Sequence, residues 1–144
     1  MADVTITAAN CIASSSATIR QGTAGATITA GDACYLDSAT DTYKLAIATT
    51  LATSKARGIA LNSCSTGQPV DICESDNTFT PGGTVAVGKI YVVSPNNAGG
   101  ICLSSDAGVT TGTFTTVLGV GLSTTQIRLN CGSHLRHCAQ VAMA

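Results

Sequence analysis

The chain of 144 residues has the length of one ordinary domain, and it carries a formal net charge of -1 with only 10% charged residues. This balance excludes the strong electrostatic field that draws proteins to nucleic acids or anionic membranes, so neither is expected as a partner. Aromatic residues make up 3% of the chain and Trp is absent, whereas Thr and Ser number 22 and 13. The core should therefore be thin, built from small apolar side chains, and stabilised by contact with a neighbour.

Residues 1–27 combine short apolar runs with small polar segments, and they are predicted to form an N-terminal arm or an added edge strand. Strands are expected within them at 3–7 and 17–20. The first residues lack a basic region followed by an apolar one, and no run approaches the ~18 apolar residues of a membrane span. Synthesis in a cytoplasm is therefore expected.

Beyond residue 27, short β-branched runs alternate with Gly, Pro, Asn and Ser-Thr clusters, and no helical period is sustained. Strands are predicted at 33–37, 43–46, 56–61, 70–73, 84–87, 89–93, 100–103, 114–122 and 126–130. Only 47–55 tolerates a helical turn. The predicted fold is all-β: a small β-barrel or sandwich of many short strands over residues 28–130, followed by a flexible C-terminal tail at 131–144.

An internal repeat of about 45 residues relates units 28–72 and 85–129 at an offset of 57 positions. In both units an apolar segment leads to a Gly corner and then a strand. A four-residue insertion in the second unit then places Gly119 over Gly58. Two such units, neither able to close its own sheet, would bury their faces on one another. A chance resemblance between two β-meanders is the alternative.

Catalytic chemistry is not indicated. The two histidines, His134 and His137, both fall in the last eleven residues, far from any candidate nucleophile in the β region. The Gly-rich segments contain neither a P-loop ending nor a dinucleotide fingerprint, so they are interpreted as turns. We predict no enzyme activity and no cofactor.

Seven cysteines could suggest a disulfide framework, but their number is odd and the chain is neither short nor marked for secretion. Most are expected to be reduced, small apolar residues. Cys34 and Cys102 lie in predicted strands, where a free Cys is buried like a hydrophobic residue.

Two groups of residues could in principle bind metal. Asp71, Glu74 and Asp76 offer oxygen ligands for Ca²⁺, but their spacing matches no EF-hand, and a solvated loop before Pro81 is favoured. The C-terminal tail offers two thiols and two imidazoles for zinc, although adjacent ligands rarely converge on one ion. These four residues are Cys131, His134, His137 and Cys138. A solvated tail is favoured over a zinc-binding assembly factor, and no metal is predicted.

The glycines and strand edges recur in a characteristic order, in the segments Ile28–Asp32, Arg57–Leu61, Gly67–Val70, Gly88–Tyr91, Gly99–Ile101 and Leu118–Gly121. With this order, residues 20–130 resemble the small capsid decoration, or cement, proteins of tailed phages. Related β modules also occur in phage head fibres, tail fibres and spikes. A module involved in host attachment is therefore the alternative.

The resemblance implies a compact β-barrel that forms a homotrimer and binds the major capsid protein on the outer surface of the virion. It implies no catalytic residue. In that family an N-terminal arm commonly reaches the shell, which makes five residues candidates for capsid contact. They are Val4, Ile6, Ile12, Ile19 and Arg20.

Overall fold

The computed structural model describes residues 3–107, 113–131 and 141–143. It is nearly all β, with a curled antiparallel sheet that forms a half-barrel, and this confirms the predicted fold class. The strands are β1 (Thr18–Thr23), β2 (Ala33–Asp37), β3 (Thr42–Leu45), β4 (Ala56–Ala60), β5 (Pro69–Phe79), β6 (Ile90–Val93), β7 (Ile101–Leu103), β8 (Thr113–Thr115), β9 (Val117–Gly121), β10 (Ile127–Asn130) and β11 (Val141–Met143). A 3₁₀ turn (Ala8–Asn10) and two short helices, α1 (Leu51–Ser54) and α2 (Ser104–Ala107), complete the fold. Among these described elements, neither helix is long and apolar enough to cross a bilayer.

The predicted strands at 3–7 and 84–87 are wrong, for the same physical reason. The backbone of each segment forms hydrogen bonds with separate parts of the chain rather than along one neighbouring strand, so no ladder forms. Val4 N–H donates to the Ile101 carbonyl at 2.7 Å, whereas Thr7 N–H donates to that of Gly82 at 2.9 Å. The strand predicted at 70–73 continues to Phe79, and the one predicted at 114–122 is interrupted at position 116.

The strands of the main sheet fall into two sets with the same order. The sheet runs β3-β2-β4-β5-β10-β9-β6-β7, and β1 also pairs with β5. In chain order, the first set contains β2, β3, β4 and β5, and the second contains β6, β7, β9 and β10. Counted outward from the junction of β5 with β10, each set has its fourth, third, first and second strand in that order. Ala24, directly after β1, forms a bridge to Tyr43 in β3. Because of this bridge, the pairings β1-β5-β4-β2-β3 close into a small barrel in the first unit.

Equivalent hydrogen bonds occur in the two units. Gly31 N–H donates to the Ala60 carbonyl at 2.8 Å, and Gly88 N–H donates to the Gly121 carbonyl at 2.8 Å. Both donor glycines have a positive φ, 97° and 74°, which an L side chain adopts only with strain. The first strand of each unit also has a register shift against the third.

The strand pairings test the alignment of the predicted repeat position by position. Cys34 pairs with Gly58, and Tyr91 pairs with Gly119, so the offsets proposed for the first and third strands hold. The second strand is displaced by one residue from the proposed alignment and the fourth by two. The cause is that the loops between these strands differ in length in the two units.

Two hydrophobic cores follow from this arrangement. A small core fills the barrel of the first unit with mostly small side chains: Ala24, Ile28, Cys34, Tyr43, Ala60, Cys64, Val70 and Ile72. A larger core lies between the units and includes Phe79, Tyr91 and Leu118. Phe79 and Tyr91 are the only aromatic residues at its centre among the described residues, which agrees with the thin core expected from composition.

Residues 3–17 do not project as an arm. The Asp3 carboxylate accepts hydrogen bonds from Ser94 Oγ at 2.8 Å and Asn97 Nδ2 at 2.7 Å, which fixes it to the β6–β7 hairpin. Ile12 forms a bridge to Thr80 at the end of β5. The segment therefore runs from the second unit to the end of β5, the strand that pairs with both units, and then continues into β1.

Candidate binding surface

The five predicted capsid contacts do not share one environment. Val4 and Ile6 are half-buried and pack against the larger core, so they are not available to a partner in this conformation. Ile12 and Ile19 are 59% and 51% exposed. Arg20 is also exposed, and its Nε lies 3.0 Å from Glu74 Oε2. Three of the five residues thus remain as surface candidates.

A second apolar surface was not predicted from the sequence. Ile90 and Val120 are directly opposite in the β6–β9 ladder, and Arg128 is opposite Val120 in the β9–β10 ladder. Directly paired residues point to the same face of a sheet, so these three side chains form a row on its outer face. Val87 and Leu122 flank this row. They are held near each other because Gly88, the residue after Val87, donates a backbone hydrogen bond to Gly121, the residue before Leu122.

We call Val87, Ile90, Val120 and Leu122 the outer strip. Their exposed fractions are 62%, 44%, 38% and 44%. The signal in the sequence was weak because Ile90 and Val120 sit in runs of β-branched residues that also contain buried positions. Only the strand pairing shows which side of the sheet they occupy.

The acidic group at 71–76 lies in strand β5 rather than in the predicted solvated loop, so that prediction is wrong. Its carboxylates have different partners. Glu74 pairs with Arg20, whereas Asp76 is buried and accepts hydrogen bonds from Ser14 N–H at 2.6 Å and Thr78 N–H at 3.1 Å. Among the described residues, no three His, Cys, Asp or Glu side chains are placed to hold a metal ion.

Of the four candidate zinc ligands, the structure describes only Cys131. Its side chain is buried in the larger core, with Sγ 3.9 Å from the Leu118 carbonyl oxygen. His134, His137 and Cys138 lie outside the described residues. The expectation that this tail binds no metal therefore stays a prediction, with zinc as its alternative, and within the described part Cys131 packs as an apolar residue.

All six described cysteines are buried, including Cys34 in β2 and Cys102 in β7 as predicted. Burial, with a smaller contribution from Asp32, raises the pKa of Cys11 to about 11. Burial also raises the pKa of Cys73 to about 12. These thiols are therefore protonated at neutral pH and poor nucleophiles.

We expect the described cysteines to resist alkylation by iodoacetamide at pH 8 in the folded protein and to react together on unfolding. Peptide mass spectrometry after a timed reaction would measure each site. The small-molecule thiol glutathione, with an ordinary pKa, serves as the reference nucleophile. Rapid labelling of Cys11 or Cys73 in the native protein would contradict this expectation.

A cleft of about 540 Å³ separates the N-terminal segment from the loop after β5. Its lining contains no titratable side chain and consists largely of hydroxyl and amide groups, from Thr5, Thr7, Asn10, Thr80, Thr84 and Thr125. Such a lining offers hydrogen bonds to a polar ligand but no acid, base or activated nucleophile for catalysis.

In comparisons with known proteins, no family model matches the chain, and no curated protein matches it significantly.

Proposed function

We propose that this protein is a virion structural protein that decorates and stabilises the outer surface of a tailed-phage head, with the major capsid protein and further copies of itself as partners. The supporting observation is its exposed apolar surface. Among the residues that the structure describes, seven large aliphatic side chains are at least 38% exposed, and only 10% of the chain's residues are charged. Four of these side chains lie next to one another in the outer strip, and contiguous exposed apolar surface marks interaction sites on proteins.

The proposed mechanism is thermodynamic. A protein that binds the assembled shell, but not its broken form, stabilises the shell by mass action. Many copies on one particle add their individual contributions through multivalency. Such a role requires a stable surface rather than a reactive group, and the buried, protonated thiols of Cys11 and Cys73 suit it.

The proposal is tested with phage heads stripped of this protein. Re-addition of the purified protein should restore saturable binding and raise the temperature at which the heads release DNA. Both effects should depend on the free protein concentration. Heads that bind no protein, or that bind it and rupture at an unchanged temperature, would overturn the proposal.

A second candidate function is a fibre or spike module that attaches to the host, and the hydroxyl-lined cleft favours it. Polar clefts of this size can hold a sugar through hydrogen bonds. Quantitative gel densitometry of virions separates the two functions. Hundreds of copies in each particle support capsid decoration, whereas a handful at one vertex supports the attachment module.

A further inference from the structure

We infer that the outer strip is the shell-facing surface, and that it receives an extended segment of the major capsid protein carrying a β-branched aliphatic side chain next to a carboxylate. The inference rests on the proposed function and deepens it by assigning the contacting face. The strip consists of the exposed residues Val87, Ile90, Val120 and Leu122. Its proposed occupant follows from the way the chain covers the equivalent strip of its own first unit.

The strand pairings give the two central strip residues counterparts in the first unit. Ile90 and Val120 correspond to Ala33 and Ile59, because each is a directly opposed pair of the first and third strands. The counterparts are fully buried, at 0% exposure each, in the larger core. The same face of the same strand pair is thus covered in one unit and bare in the other.

The N-terminal segment is part of that cover and indicates the chemistry of the missing occupant. A Cβ added at Gly31 would lie 2.5 Å from Cγ2 of Ile6, so this side chain fills the space over the glycine. At the equivalent Gly88, no atom of a described residue lies within 4 Å of the same position. The second unit therefore offers the same glycine corner without the aliphatic side chain that occupies it in the first.

Charge supplies the second requirement on the occupant. Arg128 lies in the row of the strip, and the exposed Lys89 precedes Ile90. Neither cation forms an ion pair with a described carboxylate. Their counterparts in the first unit, Cys73 and Asp32, carry no positive charge. A partner with a carboxylate beside its aliphatic residue would complement this surface and orient the segment.

The test is binding of purified variants to stripped heads. Val87→Asp and Arg128→Glu should each weaken binding at least about tenfold, because they place a negative charge where an apolar contact and a cation are needed. Binding of the wild type should weaken with added salt, and Arg128→Glu should lose most of that salt dependence. Both positions are exposed, and thermal unfolding would verify that the variants keep the native stability.

The matched controls introduce the same acidic residues at exposed positions of the first unit. They are Leu51→Asp and Lys55→Glu. Controls that bind like the wild type, beside weakened strip variants, would support the inference. Unchanged binding by the strip variants, with a loss in Ile19→Asp, would place the contact at the N-terminal surface and overturn the inference.

Heads that do not bind the wild type would overturn the proposed function itself. A changed oligomeric state of the strip variants in sedimentation, with unchanged head binding, would assign the strip to a second copy and also overturn the inference.

Discussion

Replacing Gly119 by alanine is expected to destabilise the protein by about 3 kcal/mol or more, and replacing Gly58 should have a similar effect. At each position an added Cβ would collide with the backbone of the next strand, at the carbonyl oxygen of Arg128 for Gly119 and of Cys73 for Gly58. These contacts would be far inside the 3.0 Å that real Cβ atoms keep. The backbone of a paired strand cannot rotate aside as a side chain would, so hydrogen bonds between the two paired strands must break.

Gly67→Ala is the matched control for this prediction. Gly67 has a φ of 89°, but no atom in the described part of the chain lies within 4 Å of its Cβ position, so the substitution tests conformational strain without a collision. It should cost about 1 kcal/mol. Urea unfolding of the three variants measures the difference. Equal losses at all three positions would show that close strand approach is not what places glycine at 58 and 119.

Much of the fold was predictable because periodicity and turn residues report directly on local structure. The strand at 33–37 appears with its predicted bounds. The glycine corners at 31 and 88 mark the same turn in both units, since each requires a positive φ. The arrangement of residues 3–17 was not predictable, because its long-range hydrogen bonds join it to segments 49 to 97 positions away. No local pattern encodes such distant partners.

The candidate binding surface was predicted only in part, for a related reason. Ile12 and Ile19 are exposed, as expected for contact residues, whereas Val4 and Ile6 pack on the core. An apolar residue in a short β-branched segment gives the same sequence pattern whether its side chain faces a partner or the interior. The outer strip became visible only when the strand pairs showed that Ile90 and Val120 share an outward face. Burial of their counterparts in the first unit is a tertiary property that the repeat alone does not reveal.

Replacing Asp76 by alanine is expected to destabilise the protein by about 2–4 kcal/mol and to loosen the segment before β1. The carboxylate is 2% exposed and joins β5 to this segment. It accepts hydrogen bonds from the backbone N–H and hydroxyl of Ser14 and from Ser16 Oγ, the last at 2.9 Å. Its removal leaves these donors without their acceptor. Urea unfolding measures the first effect, and limited proteolysis near Ser14 measures the second.

The Asp76 contribution should also depend on pH. Burial alone would raise the pKa of this carboxyl, but hydrogen bonds from Ser14, Thr78 and Ser16 outweigh it and hold the pKa below its ordinary value. Because the folded-state pKa is the lower one, the stabilisation is complete above the unfolded value of about 4 and is lost as pH falls through the folded value. The free-energy difference between the wild type and Asp76→Asn should therefore be constant from about pH 5 to 8 and shrink below about pH 4. Asp71→Asn, the same change on the same strand at a carboxylate that accepts no hydrogen bond from a described residue, is the matched control for the introduced amide. A difference that grows as the solution is acidified would contradict the assigned role of Asp76.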